Sequence, residues 1–138
     1  MGFVCQGRYA LAPIEPTDAE KYVNLQLDCM EQTYDPIYFD ALGESFTARH
    51  RAERNEYLED FHRHLSSPTV RGFFAYEVPG WTPDGGLSCS IGAHIDWDKP
   101  VGLALSLCEP SSWELERADN LPELPAGTRK LAHLYTLN

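Results

Sequence analysis

Few residues of this 138-residue chain have types and spacings suited to chemistry, and they fall into small groups. His133 stands two residues before Tyr135 in the run Leu131-Ala132-His133-Leu134-Tyr135-Thr136-Leu137-Asn138. In a strand these two side chains share a face. An imidazole titrates near neutrality and suits a general base, although a single histidine in an apolar strand is more often a satisfied structural residue. Glu77, at the end of a Phe-rich run, is the other candidate, a carboxylate. Tyr34 and Tyr38, one helical turn apart, could wall a cleft or simply pack.

Other groupings are weaker. His62 and His64 are two apart on a helical segment and point in different directions, so no metal site is expected. Cys89, His94 and Asp96 have the types of a nucleophilic triad. They fall in one expected strand with no partner element to supply geometry. Pro83-Asp84-Gly85-Gly86 is turn chemistry, outside any strand–loop–helix context that would make it a phosphate loop.

The elements that must position these residues follow from periodicity. Tyr9 to Ile14 is a short strand closed by Pro13 and Pro16. Thr17 to Glu20 forms a capping box, and Ala19, Val23, Leu27, Met30 and Tyr34 then trace one apolar helical stripe, which Asp35-Pro36 is expected to end. A second helical region covers about Ser45 to Leu65. Its face is Tyr57, Leu58, Phe61 and Leu65, and the charge pairs Arg49/Glu53 and Glu59/Arg63 lie on a solvated side. Val70 to Val78 reads as a strand buried on both faces. Ile91 to Trp97 and Val101 to Leu107 alternate like a hairpin about Asp98-Lys99-Pro100. Glu109 to Thr128 is a Pro-, Ser- and acid-rich loop, and Leu131 to Leu137 is a final buried strand with an open edge. The expected fold is a single α+β domain, a mostly antiparallel sheet with two N-terminal helices packed on it.

Composition bounds the partners. Eleven basic against 21 acidic residues give a formal charge of −10, which argues against nucleic acid and anionic membrane surfaces. No apolar run reaches the roughly 20 residues of a membrane span. Four scattered cysteines, Cys5, Cys29, Cys89 and Cys108, favour reduced thiols in a cytoplasmic protein over a disulfide framework.

The closing strand resembles the strand before the pyrophosphate loop of GNAT-superfamily N-acetyltransferases. There Leu-x-x-Leu-Tyr-(Val/Thr) is usually followed by Pro and then by Gln/Arg-x-x-Gly-x-Gly/Ala. Leu131, Leu134, Tyr135 and Thr136 match the first half, Asn138 stands where Pro is common, and the glycine-rich half is absent. The order of elements is also that of the first half of such a domain. Thr33-Tyr34 with Pro36, Tyr38 and Phe39 echoes the aromatic that many members carry beside the acceptor site.

The resemblance implies acetyl transfer from acetyl-CoA to an amine, a small molecule or a peptide, with no metal. It implies that the backbone of Tyr135, Thr136 and Leu137 pairs with the pantetheine arm, that His133 or Glu77 serves as the base, and that Tyr34 and Tyr38 line the acceptor cleft. The chain then reads as the N-terminal portion of the domain, expected to be inactive alone. The alternative is a non-enzymatic module that recruits a partner peptide through its open final strand. In either case the edge should be covered, a second copy of the chain being one such cover.

Overall fold

The structure, a computed structural model, describes residues 2–83, 94–107, 125 and 129–137. Among the described residues five strands, β1 (Val4–Gln6), β2 (Tyr9–Pro13), β3 (Arg71–Glu77), β4 (Gly102–Leu107) and β5 (Lys130–Thr136), form one sheet in the order β1-β2-β3-β4-β5. Every neighbouring pair is antiparallel. Among the same residues three α-helices, α1 (Ala19–Leu42), α2 (Phe46–Ala52) and α3 (Arg54–Leu65), fall between β2 and β3. The α+β class and the antiparallel sheet expected from the sequence are therefore present.

One face of the sheet carries the core. Ala10, Ala12, Phe74, Tyr76, Leu103 and Leu105 point from β2, β3 and β4 into a buried cluster with Tyr22, Val23, Leu25, Leu27 and Cys29 of α1 and Phe61 of α3. The helices are fastened to one another by charge: Arg51 reaches Asp28 at 2.9 Å and Glu31 at 2.7 Å, and Arg54 pairs with Glu20. Arg51 and Arg54 of the second helical region thus bind α1.

Several boundaries differ from expectation. A three-residue β1 precedes the first expected strand; Gln6 pairs with Tyr9 across a two-residue turn in which Gly7 takes φ +61°, the left-handed value that glycine adopts without penalty. The helical N-terminal cap lies earlier than Thr17. The Glu15 N–H donates to Asp18 Oδ2 at 2.8 Å around the 3₁₀ turn Pro16–Asp18, while Glu20 turns to Arg54.

Pro36 does not end α1, which continues to Leu42. A proline removes one N–H from the ladder, but the continuation is secured at its end. Gly43 at φ +68° donates to Phe39 O at 2.8 Å, and Asp35 accepts from Ser45 Oγ (2.7 Å), Thr47 N (2.8 Å) and Thr47 Oγ1 (2.7 Å). The region from Ser45 to Leu65 is two helices, interrupted at Glu53. Arg49 does pair with Glu53 at 3.4 Å, whereas Arg63 pairs with Asp60 at 3.0 Å in place of the expected Glu59.

β3 is buried on one face only, since Phe73 is 46% exposed while Phe74 is 1% exposed. The first arm of the expected hairpin is not a strand over residues 94–97, which form turns and bends. Ile95 is nevertheless buried, and Trp97 packs on Phe3 and Tyr76 with ring centroids 5.1 and 4.8 Å apart. The expected loop from Glu109 to Thr128, apart from Pro125, and the positions Cys89, Cys108 and Ile91 lie outside the described residues.

Candidate functional site

β5 divides the candidate residues between the two faces of the sheet. His133 and Tyr135 point toward the helices, and their rings lie 5.8 Å apart. Two residues of α1, Tyr22 and Gln26, meet them. The Tyr22 hydroxyl is hydrogen-bonded to His133 Nδ1, and Gln26 Nε2 donates to the Tyr135 hydroxyl at 3.2 Å. The match has a geometric cause. Four residues of helix advance about 6 Å and two residues of strand about 6.7 Å, so an i, i+4 pair can face an i, i+2 pair. Tyr22 is fixed between Phe61 and Phe74, with centroids at 4.9 and 6.4 Å, and the His64 ring lies 5.2 Å from that of His133.

Burial raises the phenol of Tyr22 far above its ordinary value, with the Tyr135 hydroxyl adding to the effect. Tyr135 is raised by burial as well, against the opposing hydrogen bond from Gln26. Both phenols are therefore neutral hydrogen-bonding groups at physiological pH. Cys29, nearby on α1, is pushed up to about 11 by burial and by Asp28, so its thiol stays protonated.

Tyr34 and Tyr38 lie beyond this cluster on the continued half of α1. Their rings meet edge to face at 6.5 Å, and both pack on Phe46, at 5.3 and 4.6 Å. Phe46 contacts His50 at 4.5 Å, and His50 Nδ1 is hydrogen-bonded to the Tyr57 hydroxyl at 2.5 Å. Tyr34 is close enough to Tyr135 to raise its pKa. Both tyrosines remain about two-fifths exposed, so they pack and line a surface at once.

Glu77 is on the other face. It ends β3 on the side of Phe73 and Ala75 and pairs with Arg8 at 3.4 Å in solvent. With Tyr9, Leu11, Ala75, Val101, Gly102, Thr136 and Leu137 it lines an open groove of about 460 Å³. The groove floor is low because Ala75 and Gly102, opposite each other in the ladder, offer a methyl group and a hydrogen. The sheet therefore separates the two candidates for a base: His133 and Glu77 cannot act on one substrate atom.

The backbone of β5 is equally particular. The Leu137 N–H donates to Val101 O at 2.8 Å, toward β4. Alternation along an antiparallel strand then turns the N–H and C=O of Tyr135 and His133 toward β4, and those of Leu134 and Thr136 toward the open edge. Of the three backbone positions expected to meet a ligand, Thr136 faces outward, and Leu134 replaces Tyr135 and Leu137 as its companion. Among the described strands, none pairs with this edge. A bulge completes the arrangement. Leu105 is opposite His133 but Ser106 is opposite Leu131, so Ala132 is the extra residue. Leu131 and Leu134 consequently both face outward, 55% and 63% exposed, which corrects the expectation of a buried strand.

No known protein-family model matches this chain. Searches of curated proteins and of solved structures likewise return no match.

Among the described residues no group of three or more His, Cys, Asp or Glu could hold a metal ion, and no helix is long and apolar enough to cross a membrane. Sequence reasoning missed Tyr22, Gln26 and His50, and gave His64 and Tyr57 no part in the site. The first two carried a signal: they stand four apart beside the apolar positions Ala19, Val23 and Leu27, where polar tips enter a core only if a partner waits. The others acquire partners through tertiary contacts that no local pattern encodes.

Proposed function

We propose that this chain is an acyl-CoA-using N-acetyltransferase domain of GNAT type, acting on a small-molecule or peptide amine in the cytoplasm. The observation that carries the reading is the outward-facing backbone of Leu134 and Thr136 on the β5 edge with which no described strand pairs. A pantetheine arm has two amides and can add to such an edge as a strand does. The order of two strands, helices and three further antiparallel strands supports the same reading. So does the cluster of His133, Tyr135 and Tyr34 on the helix side of that strand, a polar patch where an amine could meet a thioester. Acetyl-CoA, when bound, would supply the activated acyl group; the residues of this chain hold and orient it.

The test uses the 15N-labelled chain and pantetheine, which dispenses with phosphate contacts. Amide resonances of Leu134 and Thr136 should shift on titration, and those of Val4 to Gln6, on the opposite edge of the sheet, should not. Acetyl-CoA should act likewise. Unmoved β5 amides at millimolar ligand would remove the reading.

A second reading is favoured by one observation, the exposure of Leu131 and Leu134 beside the same edge. An extended apolar peptide would gain backbone bonds from the edge and side-chain contacts from these leucines. In that case a peptide, and not pantetheine, would shift the β5 amides.

A further inference from the structure

We propose that Tyr22 is a positioning residue that holds neutral His133 in its Nε2–H tautomer, so that the histidine acts as a hydrogen-bond donor and not as a base. What the donor acts on rests on the acyl-transfer reading above; the tautomer rests on geometry alone.

The argument is an accounting of one proton. Tyr22 is 2% exposed, and among the described residues its hydroxyl has a single hydrogen-bonding partner, His133 Nδ1. Burial keeps the phenol protonated. That hydrogen must go to an acceptor or be stranded among Phe61 and Phe74, the rings that enclose it. If Nδ1 also carried a hydrogen, it would donate to the phenol oxygen and leave the phenol's own proton without a partner. The phenol therefore donates, Nδ1 accepts, and the ring hydrogen of the neutral imidazole is on Nε2.

This reverses the role that the sequence suggests. A neutral imidazole takes up a proton at the nitrogen bearing the lone pair, and here that nitrogen is occupied by Tyr22. The hydrogen on Nε2 can be shared with an oxygen that gains charge. In acyl transfer the amine nitrogen bonds to the thioester carbonyl carbon, and the carbonyl electron pair moves onto oxygen, where a fixed N–H stabilises it. The C–S bond then breaks with its pair on sulfur, and the proton lost by the amine passes to water.

The experiment is a long-range 1H–15N correlation spectrum of the histidines in the full chain, wild type and Tyr22→Phe. In the wild type His133 should show an unprotonated Nδ1 and a protonated Nε2; in Tyr22→Phe the signals should move toward a mixture of tautomers. A protonated Nδ1 in the wild type, or an unchanged spectrum in the variant, overturns the proposal. If Tyr22→Phe does not fold, the wild-type spectrum decides.

Pantetheine binding separates the two readings: β5 amides unmoved by pantetheine would count against the acetyltransferase reading and leave the tautomer result standing.

Discussion

The two faces of the sheet are built from similar residues and do different things. Toward the helices, Phe74 and Tyr76 are enclosed and the polar tips of Tyr22, Gln26, His133 and Tyr135 are tied to one another. Away from them, Phe73, Leu131 and Leu134 stand exposed to solvent, and Ala75 and Gly102 floor a shallow groove. Adjacent residues of one strand, Phe73 and Phe74, belong to opposite worlds. Residue type alone does not say which face is the core; the helices that cover it decide.

The sharpest way to break this comparison is a pair of truncations. Phe74→Ala should cost about 3–5 kcal/mol in urea unfolding, as expected for a large side chain removed from a closed core. Phe73→Ala should cost about 1 kcal/mol or less. Equal losses would mean that the outer face is covered in solution.

Next in size is Tyr22→Phe, which takes its donor from the Nδ1 of His133 and should destabilise by about 1–3 kcal/mol. Tyr38→Phe, half in solvent, should stay within about 0.5 kcal/mol in the same assay. Gly102→Ala probes the groove floor. An added Cβ would come 3.1 Å from Tyr135 O, so β4 and β5 must part slightly, at about 1 kcal/mol.

Asp35 lies away from both faces and serves as a control. Its carboxyl is held below the ordinary value chiefly by the Ser45 hydroxyl, with Thr47 contributing. The stability it contributes is fully present above the ordinary value of 3.8 and is lost as pH falls through the lower folded value. Asp35→Ala should therefore destabilise at neutral pH, converge with wild type in acid, and leave the Phe74–Phe73 difference unchanged. The smallest effect belongs to Glu77→Gln: an ion pair with Arg8 in open solvent should change unfolding by no more than about 0.5 kcal/mol.

What was legible in the sequence was where the apolar runs lie, not how many of their faces are covered. The stripe from Ala19 to Met30 gave α1, and the Phe-rich run and the closing run gave β3 and β5. Within residues 94–97 the alternation was real: Ile95 and Trp97 do point inward. Alternation reports which side chains are buried and not whether the backbone between them is paired, so turns in residues 94–97 satisfy it equally. Pro36 misled for a related reason. Its local preference was outweighed by the bonds that Asp35 makes with Ser45 and Thr47, ten and twelve residues onward. Of the candidate site, the shared face of His133 and Tyr135 could be read from spacing two. The isolation of Glu77 on the far face, and the partners Tyr22 and Gln26, depended on which side of the sheet the helices chose.

The two polar links between α1 and β5 also bear on motion. An outermost strand is ordinarily the first part of a sheet to fray, because one side of its backbone meets only solvent. Here fraying would part Tyr22 from His133 and Gln26 from Tyr135, and so leave two polar groups of the helix without partners in an apolar interior. β5 and the first turns of α1 therefore open as one unit, and their amides exchange with solvent together. An occupant that steadies the strand edge steadies a helix on the opposite side of the core.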